Sequence, residues 1–150
     1  MSTDGGLRGI YRTKLPGIHW SPIETGHIVQ GVPDCEGCAE GVAFWVENKK
    51  TDAYAVTVRT MQRGWHARRA LCGGRSFIAV RLVAPAGPRR GEARDEFWLY
   101  PGAQAIDLAL QGLRLTPMLR EVGGPGRWSW RSIREAFLRA PLPRPKFDPD

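Results

Sequence analysis

Gly31-Val32-Pro33-Asp34-Cys35-Glu36-Gly37-Cys38-Ala39-Glu40-Gly41-Val42-Ala43-Phe44-Trp45-Val46-Glu47-Asn48-Lys49 is the stretch whose reading decides the fold. Residues 42–47 are rich in β-branched and aromatic side chains, the composition of a strand. Glu40-Gly41 reads as a two-residue turn, with Gly41 tolerating positive φ. If those two residues form the turn, Ala39 pairs with Val42, and counting outward sets Asp34 opposite Glu47. Their Cβ atoms are then roughly 4.5–5.5 Å apart on one face. Lys49, two residues further on, returns to that same face. Two carboxylates so close repel unless a cation lies between them. Mg²⁺, a hard ion that takes oxygen ligands, suits such a pair.

The rest of the composition narrows the setting. The 150 residues are 42% hydrophobic, enough for one domain with a real core. Net charge is +7 and the sequence pI about 9.9, which favours a polyanionic partner. No apolar run approaches the roughly 18 residues of a membrane span. The opening residues 1–6 lack the charged and apolar regions of a secretory signal. Nucleic acid in the cytoplasm is therefore expected, and a membrane is not. Three cysteines, an odd number, fit a reducing compartment better than a disulfide framework. Cys35 and Cys38, with His66 and Cys72, are an alternative four-ligand zinc set.

In chain order, residues 1–9 read as a loose end and Lys14-Leu15-Pro16-Gly17 as a turn that excludes a long helix. Ser21 and Glu24 have capping-box spacing around Pro22, but Gly26 limits any helix to about a turn. A short strand is expected over 27–30 and another over 54–58. Thr60 caps an expected helix over 61–71 that ends at Cys72-Gly73-Gly74. Residues 76–82 are the clearest buried strand, 85–95 a polar loop, and 97–100 the last strand. Helices are expected over 104–113 and 127–139, the second capped by Ser129. Trp20, Trp65, Trp98, Trp128 and Trp130 are assigned to the core. The result is an α/β (α+β) domain with a mixed sheet flanked by helices. Its core spans about 18–100, a helical extension 103–140 and an irregular, proline-rich tail 141–150.

Asp34, Glu47 and Lys49 make D-x₁₂-E-x-K, and with it the chain resembles the PD-(D/E)xK nuclease superfamily. The resemblance is strongest to archaeal-type Holliday junction resolvases and small viral-type replication-repair (VRR-NUC) nucleases. It is carried by Glu24, Gly31-Val32-Pro33-Asp34, Glu47-Asn48-Lys49, Gln62 and the run from Gly73 to Val80, within residues 18–82. The resemblance implies a restriction-endonuclease-like core and Mg²⁺- or Mn²⁺-dependent cleavage of DNA. Asp34, Glu47 and the backbone carbonyl of Asn48 would hold the ion. Glu24 would hold one of its waters or a second ion. Lys49 would orient or deprotonate the attacking water, supported by Gln62. The resemblance further implies branched DNA as substrate, a homodimer that cuts two strands, and a bacterial or phage-infected cell as its setting.

Arg63, Arg68, Arg69 and Arg75 around the 61–71 helix, and Arg131 and Arg134 on the last helix, are the residues expected to hold DNA phosphates. His66 is given a packing or phosphate role; His19 and His27 are read as surface residues. Two other functions stay open at this point. One is a nuclease for linear, nicked or single-stranded DNA; the other is the non-catalytic zinc module.

Overall fold

The computed structural model describes residues 3–24 and 30–144. Ten regular elements follow in the order α1 (Leu7–Lys14), β1 (His19–Pro22), β2 (Cys35–Ala39), β3 (Val42–Thr51), α2 (Thr60–Leu71), β4 (Arg75–Ala84), β5 (Arg94–Pro101), α3 (Ala105–Gln111), β6 (Leu119–Glu121) and α4 (Trp130–Arg139). Single 3₁₀ turns, Gly102–Gln104 and Gly112–Arg114, flank α3. The six strands form one mixed sheet in sequence order. All neighbours are antiparallel except β3 and β4, which run parallel because α2 carries the chain back between them.

The β2–β3 hairpin has the expected turn. Glu40 and Gly41 both have positive φ, 52° and 76°, as a two-residue hairpin loop of type I′ requires. Register runs from Ala39↔Val42 to Cys35↔Val46, so its continuation sets Asp34 opposite Glu47.

Two cores lie on the two sides of the sheet. Phe44, Val46, Phe77, Ala79, Phe97 and Leu99 pack beneath α1 and α4 against Tyr11, Ile133 and Phe137. Ile78, Val80, Leu82, Trp98 and Tyr100 pack on the other side, with Ala105, Leu108 and Leu113 around α3. Helix α2 joins that second side, and its ends match expectation to within a residue. Helix α4 ends at Arg139 as expected but starts at Trp130, three residues after the expected 127, because Ser129 caps it, its hydroxyl accepting from Ser132 N.

Several expectations need correction. Residues 7–14 are a helix, although the Gly-rich lead-in reads as a loose end. Gly5 and Gly6 take left-handed φ (65° and 74°), and Asp4 accepts from the Gly6 and Arg8 amides, so the glycines turn the chain into α1. Leu7 and Tyr11, one turn apart, then bury on the sheet. Residues 19–22 pair with β2 as an edge strand, and no helix turn starts at Ser21. Residues 54–58 form no strand, Tyr54 lying in a bend: the crossover must leave the sheet to reach α2, so Val56 and Val58 bury beside α3 instead. The strand over 97–100 is longer (Arg94–Pro101) and is followed by the three-residue β6. The strand expected over 27–30 falls, for residues 27–29, outside the described residues, as does His27. Trp98 and Trp128 are core residues, and Trp20 stacks on Tyr11 with centroids 4.8 Å apart. Trp65 is half-buried and packs away from both cores. Among the described residues no helix is long and apolar enough to cross a membrane.

Candidate active site

Strand alternation divides β3 between the two sides of the sheet. Phe44, Val46 and Asn48 face α1 and α4; Trp45, Glu47 and Lys49 face α2. Glu47 is nearly buried, at 7% exposure. Gln62 comes down from the first turn of α2 and binds both of its strand neighbours. Its Nε2 donates to Glu47 Oε1 at 2.9 Å, and its Oε1 accepts from Lys49 Nζ at 2.9 Å. The Arg59 amide also donates to Gln62 Oε1, at 3.0 Å, which pins the amide as it closes the helix N-terminus. Lys49 Nζ lies 3.5 Å from Glu47 Oε1. Among the described residues, these contacts all fall on Oε1 and no hydrogen bond engages Oε2.

Asp34 approaches from the start of β2. Its loop is held against α2 because Gly31, with φ +85°, packs where any Cβ would strike the Met61 carbonyl. The Asp34 carboxylate leans around the strand edge toward Asn48. Oδ1 accepts from Asn48 Nδ2 at 2.6 Å and Oδ2 from the Asn48 amide at 3.3 Å. Tyr11 OH, completely buried, donates to Asn48 Oδ1 at 2.6 Å and so fixes which end of the amide faces Asp34. The chain Tyr11–Asn48–Asp34 therefore links α1 to the site from the opposite side of the sheet. Sequence reading named Asn48 for its carbonyl alone and assigned Tyr11 nothing. The bond to Tyr11 spans 37 residues and leaves no local signal.

Charges in this cluster are shifted in ways that follow from burial. Burial, and then the nearby charge of Asp34, pushes the Glu47 carboxyl up to about 7. Burial also raises Asp34, against the lowering effect of its Asn48 hydrogen bonds. Lys49 is held below the ordinary lysine value by burial, with Glu47 pulling the other way. A cation bound beside the two carboxylates would lower both values.

Among the described residues no hydrogen bond or ion pair ties the Glu24 side chain to this cluster. Ile23 N donates to the Asp34 carbonyl at 2.9 Å, but the Glu24 side chain beyond it is exposed. Among the described residues no three His, Cys, Asp or Glu side chains gather as a metal site. The four zinc candidates are likewise dispersed. Cys35 and Cys38 lie three apart on a continuous strand, hence on opposite faces. Cys35 is buried beside Asn48, Cys72 is exposed, and His66 Nδ1 pairs with Ser76 Oγ at 3.0 Å.

The arginines divide by partner. Arg75 donates to the Ala136 and Phe137 carbonyls at the end of α4, and Arg134 pairs with Glu40, so both hold the fold together. Arg63 Nε donates to the Val58 carbonyl at 2.8 Å. Arg68 and Arg131 are exposed, and Arg69 lies over the rings of Trp45 and Trp65. In comparisons with known proteins, the chain matches no family model and no curated relative.

Proposed function

We propose that this chain is a metal-dependent endonuclease that hydrolyses phosphodiester bonds in DNA, acting on branched DNA as a homodimer. The observation that carries the reading is the cluster in which Gln62 bridges Glu47 and Lys49, with the charge of Asp34, held by Asn48, near enough to raise the Glu47 carboxyl. The donor set fits a hard divalent ion: two carboxylates raised by burial, one with an oxygen uncommitted among the described residues, and the Asn48 carbonyl. Asp34, Glu47 and that carbonyl would hold Mg²⁺ or Mn²⁺. When bound, such an ion supplies an activated water and offsets charge growing on the phosphate.

The remaining chemistry belongs to side chains. Lys49, depressed by burial and steered by Gln62, orients the attacking water and takes or shares its proton. Its positive charge also faces the phosphoryl oxygens as they gain charge. Gln62 bonds both Lys49 and Glu47, whose Nζ and Oε1 stand 3.5 Å apart, and so holds the ion pair in one arrangement. Asn48, fixed by Tyr11, holds the Asp34 carboxylate in one orientation. The net charge of +7 supports a polyanionic substrate.

Incubation with four-way junction, flap, nicked, linear and single-stranded DNA in Mg²⁺ or Mn²⁺ tests the reading. Asp34→Asn is expected to lower cleavage by at least ~10²-fold while DNA binding persists. Unchanged cutting by that variant overturns the assignment. Equal rates on linear and branched DNA remove the branched-substrate part and leave the nuclease.

A further inference from the structure

Beside the Glu47–Lys49–Gln62 cluster, along the same seam between β3 and α2, lies a second cluster that the proposed hydrolysis does not use. Trp45 shares the α2 side of β3 with Glu47 and Lys49. Trp65 and Arg69 follow Gln62 by three and seven residues on α2, the spacing of one helix face. The two indoles meet edge to face, with centroids 5.5 Å apart and an interplanar angle of 61°. The Arg69 guanidinium lies over both, 5.3 Å from the Trp45 ring and 4.7 Å from that of Trp65. All three side chains are half-buried and so reach the surface.

Arg69 is held differently from the arginines that form ion pairs. Arg8, Arg81, Arg94, Arg120, Arg134 and Arg139 each pair with a carboxylate. Among the described residues Arg69 has no such ion pair, and two aromatic faces position it instead. Gly74 preserves its room, since a Cβ there would run into Arg69 Cδ. A guanidinium held against aromatic rings and not neutralised by a carboxylate can offer its plane to a nucleobase and its N–H groups to the neighbouring phosphate. Trp45 is two strand residues from Glu47, about 7 Å, or about two stacked base steps of ~3.4 Å. Bases inside a duplex have both faces covered, so only an unstacked base can use the surface.

We infer that Trp45, Trp65 and Arg69 form a stacking platform for an unpaired DNA base near the bond to be cut. The substrate then carries a single-stranded or unstacked nucleotide at that point. The inference rests on the nuclease reading for what the platform serves, but not for whether it binds.

The full chain in EDTA, where no divalent ion is available, is titrated with labelled oligothymidylate and with a duplex of equal length. Binding is followed by anisotropy and by tryptophan emission. Oligothymidylate is expected to quench emission, and Arg69→Ala to weaken its binding roughly tenfold while duplex binding stays within about threefold. Arg69→Lys keeps the charge but not the plane, and is expected to lose most of the same preference. Should Arg69→Ala not fold, quenching of the unaltered chain and the Arg69→Lys variant still decide. Absent quenching, equal losses for both DNA forms, or competition by polyglutamate as strong as by oligothymidylate would each overturn the platform. Quenching with the expected losses, but no metal-dependent cutting, would refute the nuclease and leave the platform. Cutting lost in Asp34→Asn, with Arg69 variants indifferent to DNA form, would refute the platform alone.

Discussion

On the α1 and α4 side of the sheet, β3 presents Phe44, Val46 and Asn48; on the α2 side the same strand presents Trp45, Glu47 and Lys49. The first side is closed by aromatic rings. Phe137 stacks on Phe44 at 4.7 Å and meets Tyr11, Trp20 and Phe77 edge-on. The second side places a carboxylate, an amine and an amide under α2, with His66 buried behind them and its Nε2 lacking a partner in the described structure. Burial holds that imidazole down to about 3, so it stays neutral. One side of the strand stabilises the fold, while the other carries groups whose desolvation costs stability. Sites that perform chemistry commonly show that second character.

The sharpest way to break this contrast is to remove a ring from the dry side. Phe137→Ala should cost about 3–5 kcal/mol, since it opens a cavity among four aromatic neighbours. Denaturant unfolding measures it, and a loss below about 1 kcal/mol would mean that this side is not the stabilising one.

Glu47→Gln probes the opposite side, with the opposite sign. Unfolded, Glu47 titrates near its ordinary 4.5; folded, it holds its proton up to about 7. Stability from this group is therefore present below about 4.5 and lost as pH rises through about 7. The metal-free protein should lose up to about 3 kcal/mol between pH 4.5 and 8, and Glu47→Gln should remove that slope. Added Mn²⁺ should restore more stability at pH 8 than at pH 5 in the unaltered chain. Parallel pH profiles for the two proteins would show that Glu47 is not under strain.

Tyr11→Phe is the smallest change and crosses between the sides. It removes the donor that orients Asn48 and should cost about 1–2 kcal/mol. Its effect on cleavage should be well below that of Asp34→Asn, because Asn48 can still reach Asp34. A cleavage loss as large as that of Asp34→Asn would make the Tyr11 bond indispensable to the site.

Much of the site is readable from the chain because hairpin chemistry is local. Glu40-Gly41 demands positive φ at both residues, and the register of the whole β2–β3 pair follows from that turn. The periodicity of α2 and α4 is equally local, whereas the contact of Gln62 with Glu47 and Lys49 joins a helix to a strand 13 to 15 residues away. The failures share a cause as well. Helix α1 depends on Asp4 bonds and on two left-handed glycines that look like a flexible lead. Residues 54–58 have a strand's alternation but no strand to pair with. Arg75 and Arg134 read as a basic face, yet their partners lie 61 to 94 residues away.

By itself the sequence determined the turn, the strand register it imposes, and the alternation that separates Glu47 and Lys49 from Asn48, since each depends on neighbours within a few residues. Tertiary structure alone decided that Asp34 leans toward Asn48, that Tyr11 of α1 bonds Asn48 on their shared side of the sheet, and that two indoles hold Arg69. Those outcomes depend on side chains brought together from separate elements, and burial, by stripping away water, makes each of their hydrogen bonds and charges count.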